Sequence, residues 1–138
     1  IRKKGVTVIN DSYNANPTSM EESLKELVRL AAGGRKVAVL GDMGELDAFS
    51  EDEHRKIGRM LPEMGIDVFV AVGEKMGLAA EEITRAKKPG ASVVYKFSDA
   101  SEAGEGIMDI LKHGDTVLIK GSRMMSMEKV AGGIADVI

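Results

Sequence analysis

The stretch Asp11-Ser12-Tyr13-Asn14-Ala15-Asn16-Pro17 carries a carboxylate, a phenol and two carboxamides, and follows the apolar run Val6 to Ile9. Such a mixture has the donors and acceptors to hold a polar ligand, and it is too polar for a core. One competing role is local: Asn16-Pro17 is also a good helix entry, with an Asn cap and a proline at the first helical position. Two further stretches have similar chemistry. Gly41-Asp42-Met43-Gly44-Glu45 pairs two acids with two glycines, and Lys120-Gly121-Ser122-Arg123 pairs two cations with a hydroxyl. Asp42 and Glu45 are either ligand-facing or solvated loop acids. The Lys120 stretch is either a plain helix cap or a set of backbone amides and cations presented to an anion. His54 falls inside a helical pattern, where a packed or hydrogen-bonded role is the simpler reading, and His113 lies far from it in sequence.

The elements that must position these stretches follow from apolar patterning. Five short runs read as strands: Val6 to Ile9, Val37 to Leu40, Val68 to Val72, Val93 to Phe97 and Val117 to Ile119. Apart from Thr7 and Lys96 these runs are continuously apolar rather than alternating, as in a parallel sheet covered on both faces. Between them, Met20, Leu24, Leu27, Val28 and Ala31 form one helical stripe ended by Gly33-Gly34. Ser50 and Glu53 have capping-box spacing ahead of Ile57, Met60, Leu61 and Met64. Further helices are expected from about Lys75 to Lys87, from about Asp99 to Leu111, and from near Ser122 to Ser126 onward. Gly104 and Gly106 each weaken the fourth helix by roughly 1 kcal/mol relative to Ala.

Strand and helix alternate with short connections, which predicts a doubly wound, Rossmann-like α/β fold. Its sheet should be mostly parallel, of five or six strands, with helices on both faces. Residues 1–138 are expected to form one domain, and the initial Ile suggests a piece of a longer protein. In such sheets ligands bind beyond the carboxyl ends of the strands. All three polar stretches fall there, so Asp11, Asp42, Lys120 and Arg123 should share one rim suited to a small polar or zwitterionic ligand.

Composition narrows the function. A net charge of −3 with interspersed lysines argues against a nucleic-acid partner. No apolar run is long enough to enter a membrane as a spanning helix. The absence of Cys rules out thiolate metal sites and suits the cytoplasm. No Gly-x-x-x-x-Gly-Lys-Ser/Thr loop occurs to hold a triphosphate, and no nucleophile–histidine order suggests a covalent catalyst. No catalytic residue and no metal ligand is therefore assigned.

Three motifs occur in order: Asp11 through Met20; Val39-Leu40-Gly41-Asp42-Met43-Gly44-Glu45-Leu46 followed by His54; and Leu118-Ile119-Lys120-Gly121-Ser122-Arg123 followed by Met127-Glu128. Together they resemble the C-terminal domain of the Mur ligases, ATP-dependent enzymes of bacterial peptidoglycan synthesis. Within that family they resemble the MurF branch, which joins D-alanyl-D-alanine to UDP-N-acetylmuramoyl-tripeptide. The motifs cover essentially the whole chain, and the first distinguishes this branch from its sisters.

The resemblance implies a third domain whose partners are its own N-terminal and central domains, together with the tripeptide and dipeptide substrates. ATP and Mg2+ would be held mainly by the central domain. By analogy Asp11 would bind the ribose of ATP, with Tyr13, Asn14 and Asn16 facing the nucleotide and the incoming substrate. Lys120, Ser122 and Arg123 would lie near the dipeptide carboxylate, and Asp42 and Glu45 near its ammonium. This domain would supply binding and orientation, and would be inactive alone. One departure is Asp47, where the family usually has glycine after Glu-Leu. Other Mur-superfamily amide ligases and a freestanding nucleotide- or amino-acid-binding module are the alternatives, separated by whether a P-loop is encoded upstream.

Overall fold

The computed structural model describes residues 2–3, 5–12 and 15–135. Strands β1 (Arg2–Lys3), β2 (Val6–Asp11), β3 (Lys36–Gly41), β4 (Val68–Val72), β5 (Val93–Phe97) and β6 (Thr116–Lys120) form one sheet. Its order is β1-β2-β6-β3-β4-β5. The five strands expected from the sequence run parallel, and the added β1 pairs antiparallel with β2. The strand last in sequence is thus inserted between β2 and β3.

Helices α1 (Pro17–Ala31), α2 (Ser50–Glu63) and α3 (Glu74–Ala86) cover one face, while α4 (Ala100–Ile110) and α5 (Glu128–Ala135) cover the other. The pleat divides each strand between them: Ala38 and Leu40 face the α1–α3 layer with Leu24, Leu27, Ile57 and Phe69, whereas Val37 and Val39 face Ile107, Val130 and Ile134. Burying each such aliphatic side chain contributes about 1.5–3 kcal/mol. That driving force holds amphipathic helices of modest propensity in place.

Three local expectations are corrected. β5 is a sheet edge, not a doubly covered strand: Val93 is 55% and Tyr95 41% exposed, because only β4 pairs with it. Ser50 does not cap α2. A 3₁₀ turn (Asp47–Phe49) runs directly into the helix, so Ser50 is already helical and forms no side-chain cap. α5 begins at Glu128, after a separate 3₁₀ turn at Arg123–Met125.

Two glycines explain where helices touch. A β-carbon on Gly58 would lie 2.2 Å from the Ala79 carbonyl oxygen, so its absence lets α2 and α3 cross closely. Gly104, which weakens α4 intrinsically, serves the same purpose: a β-carbon there would lie 2.7 Å from the Lys129 carbonyl oxygen of α5.

At the edge where the strands begin, Asp115 is 1% exposed and accepts Nε and Nη2 of Arg35, both at 2.8 Å, and the Lys112 amide at 2.8 Å. Arg35 Nη2 also donates to the Ile110 carbonyl at 2.7 Å. This fork ties the start of β3 to the α4–β6 turn.

Candidate functional site

The parallel register sets Asp11 beside Lys120, with Leu40 on the other side of Lys120. Lys120 Nζ meets Asp11 Oδ2 at 2.6 Å, and Ser23 Oγ of α1 donates to the same oxygen at 3.1 Å. The Lys120 side chain is 3% exposed, whereas that of Asp11 is 42% exposed. A buried ammonium is tolerated only with such a partner. Lys120 therefore anchors Asp11 from beneath, and Asp11 presents the open side.

Asn16 caps α1: its Oδ1 accepts from Ser19 N at 2.9 Å, and Ser19 Oγ accepts from Asn16 N at 3.1 Å. That is a complete capping box, followed by Pro17 in the first turn. Its carboxamide oxygen is committed to the helix. Tyr13 and Asn14 lie outside the described residues.

The loop after β3 is tied on three sides. Asp42 Oδ1 accepts the Met76 amide at 2.7 Å, which caps the first turn of α3 in place of a side chain on Gly73. Gly73 has φ +103, and a β-carbon there would fall 2.6 Å from Asp42 Oδ1, so both backbone shape and space require glycine. The Asp42 carbonyl accepts Ser122 N at 3.0 Å. Met43 N donates to Nε2 of the fully buried His54 at 2.9 Å, while His54 Nδ1 lies 2.7 Å from the Ser50 carbonyl. These partners assign the neutral Nδ1–H tautomer, because Nε2 must accept. Burial pushes the His54 pKa below its ordinary value, partly opposed by the Ser50 carbonyl.

Glu45 is exposed on the same loop, with φ +57. Asp47 has φ +48, the left-handed conformation natural to glycine. Asp47 thus holds a glycine-type backbone conformation, at an energetic cost. Asp47→Gly is expected to raise stability by about 0.5–1 kcal/mol, read from urea unfolding. A decrease would show that the Asp47 carboxylate is worth more at this helix entry than the relieved backbone.

Ser122 N is spent on Asp42, and the following 3₁₀ turn is too short to offer helix-start amides, contrary to the helix expected near residue 122. Arg123 begins that turn and is exposed, beside a 94% exposed Met124. Asp11, Asp42, Lys120 and Ser122 are therefore joined on one rim, with Glu45 and Arg123 flanking it. Sequence reasoning missed Ser23. Its signal was positional: Ser23 is a polar residue on the inward stripe, three after Met20 and four before Leu27.

A cleft of about 500 Å³ opens between α2 and α3, lined by Gly58, Pro62, Ile83, Ala86 and Pro89, and contains none of the candidate residues. Among the described residues no group of three or more His, Cys, Asp or Glu could hold a metal ion. No described helix is long and apolar enough to cross a membrane.

Comparison with known proteins completes the picture. The family described as Mur ligase, glutamate ligase domain, matches residues 1–123. A UDP-N-acetylmuramoyl-tripeptide–D-alanyl-D-alanine ligase from Bacillus subtilis is 30% identical over 132 residues, 96% of this chain and 28% of the relative. The solved structure of MurF from Acinetobacter baumannii superposes with a TM-score of 0.84 at 33% identity, over 99% of this chain and 29% of that one. MurF ligase from Thermotoga maritima, solved in complex with ADP, gives a TM-score of 0.74 at 27% identity, again over 99% and 29%. The chain thus spans under a third of the length of the relatives it matches.

Proposed function

The chain belongs to the Mur ligase family through its glutamate ligase domain, and on that premise we propose that it is the C-terminal domain of an ATP-dependent ligase adding D-alanyl-D-alanine to UDP-N-acetylmuramoyl-tripeptide. Residues 1–138 act as one unit alongside the protein's own N-terminal and central domains, in the cytoplasm, where the nucleotide-linked precursor is made. The relatives' names and their identity along nearly the whole chain support the reaction. The observation that carries the site is the joining of three strand-end loops through Lys120–Asp11 and Ser122–Asp42.

ATP supplies activation of the tripeptide carboxylate. Asp11 fits the ribose: one carboxylate oxygen is anchored by Lys120 and Ser23, and the side chain stays 42% exposed, ready to accept hydroxyl hydrogens. Tyr13, Asn14 and Asn16 would border the nucleotide. Mg2+ in this reading is held mainly by the central domain, and among the described residues no group of three or more His, Cys, Asp or Glu competes for it. Arg123 and Ser122 receive the dipeptide carboxylate, and Glu45 its ammonium. Asp42 and Lys120 support them, one by fixing the loop and the other by fixing Asp11. The domain's contribution is to hold the amine in line with the activated carbonyl, an effect worth about 7–11 kcal/mol in well-oriented systems.

The test is product formation by the full-length protein from ATP, tripeptide precursor and D-alanyl-D-alanine, followed by mass spectrometry. Turnover with a different amine but not the dipeptide would move the chain to another branch of the family. The purified 138-residue chain is expected to show no ATP turnover above a mock preparation, because it has no phosphate-cradling loop. Magnesium-dependent hydrolysis by this chain would refute that division of labour.

A further inference from the structure

His54 is fully buried, yet the reaction as proposed gives it nothing to do. Its two ring nitrogens are both engaged, one accepting the Met43 amide at 2.9 Å and the other facing the Ser50 carbonyl at 2.7 Å. The Ser50 hydroxyl lies 3.4 Å from Nδ1. Asp42, the residue before Met43, accepts the Met76 amide of α3 and the backbone N–H of Ser122. One short segment therefore connects α2, α3 and the loop bearing Arg123, and His54 is its attachment to α2.

We propose that His54 is a positioning residue: a neutral imidazole latch that sets the 42–47 loop, and with it Glu45, Ser122 and Arg123, and that releases this arrangement on protonation. The part concerning substrate rests on the dipeptide site proposed above. The physical reason is that Nε2 has one lone pair. Once it carries a proton it presents N–H to the N–H of Met43, and a bond becomes a repulsion at a site closed to water.

The charged groups around the ring act in both directions. Asp42 on the loop and Glu53 on α2 favour the charged form, Lys75 on α3 disfavours it, and desolvation, the largest influence, disfavours it. The folded pKa thus lies below the ordinary value of about 6.5. The opened loop binds the proton more readily than the closed one, so stability of the closed loop is lost as pH falls below that ordinary value.

Two measurements test the latch. In protein labelled with 15N at histidine, the His54 shifts at pH 7.5 should identify a neutral Nδ1–H ring, and Met43 amide protection should fall as the ring titrates in acid. An Nε2–H or doubly protonated ring at pH 7.5, or Met43 protection indifferent to the titration, overturns the proposal whether or not the protein is a ligase.

The second measurement is the KM for D-alanyl-D-alanine against pH. The dipeptide's own amine, with a pKa of about 7.7–8.0, contributes equally to every variant. The readout is therefore the ratio of wild type to His54→Gln, whose side-chain oxygen can accept the Met43 amide but cannot titrate. That ratio should rise toward tenfold per pH unit below the His54 pKa, with no such rise for ATP. His54→Leu, which cannot accept, should raise the dipeptide KM at every pH. A flat ratio, or a parallel change in the ATP KM, removes the role in positioning the amine site.

Discussion

Asp115→Ala is expected to lower the unfolding free energy by about 3–5 kcal/mol, the usual cost of removing one partner from a buried ion pair. The carboxylate is 1% exposed and makes three hydrogen bonds, two of them to the Arg35 fork. Its loss leaves the Lys112 amide without its side-chain acceptor. The Arg35 side chain is 28% exposed, and its guanidinium, still held by the Ile110 carbonyl, would keep its charge without its paired carboxylate. Hydrogen bonding to Asp115 is the main influence raising the Arg35 pKa, so the pairing favours the charged form. Against a typical domain stability of about 5–15 kcal/mol the loss is large. Asp115→Asn keeps an acceptor and gives up the charge, so it should cost less, about 1.5–3 kcal/mol. Urea unfolding measures both. A loss under 1 kcal/mol for Asp115→Ala would mean that water replaces the fork with little penalty.

On the proposed dipeptide site, Arg123→Ala in the full-length protein should reduce kcat/KM for D-alanyl-D-alanine by roughly ten- to hundredfold, with little change in the ATP KM. That range corresponds to losing a charge-assisted hydrogen bond of about 1.5–3 kcal/mol. Arg123→Lys should recover part of the loss, since an ammonium reproduces the charge but not the two-pronged geometry. If Arg123 is only an exposed side chain at the start of a 3₁₀ turn, both variants will leave kinetics and stability nearly unchanged. Steady-state kinetics varying each substrate in turn decide the matter. An equal loss for both substrates would instead place Arg123 in the closing of domains.

The architecture was legible because burial on both faces leaves unbroken apolar runs, and Val37 to Leu40 and Val68 to Val72 are such runs. The same rule misread β5, since it makes Val93 to Phe97 an inner strand although Lys96, a charged and exposed residue within it, is the kind of side chain that marks an edge. The rim was legible for a similar reason: strand ends are sequence features, and parallel pairing brings them together. How each polar residue is used was not. Lys120 and Arg123 are both cations of one short motif, yet Lys120 is 3% exposed in its side chain and Arg123 is exposed, a distinction that depends on β6 lying between β2 and β3. Asp42 and His54 are likewise committed to partners on α3 and on the loop itself, contacts spanning 34 and 11 residues. Asn16 shows both influences at once, a residue expected from its neighbours to cap a helix and found doing so.

The placement of β6 also bears on how the chain can be assembled. β2 and β3 make their ladders with β6 rather than with each other, so until residues 116–120 are available the β2 and β3–β5 portions have no common sheet. A nascent chain leaving the ribosome can form the β3–β4–β5 units early, but it must keep two open strand edges apart until its last strand arrives. Closure then requires contacts such as Asp11–Lys120, 109 residues apart, which makes it a slow, non-local step. During that interval the unpaired edges of β2 and β3 are the places where one chain can join another, so aggregation should be most acute for chains interrupted before residue 116.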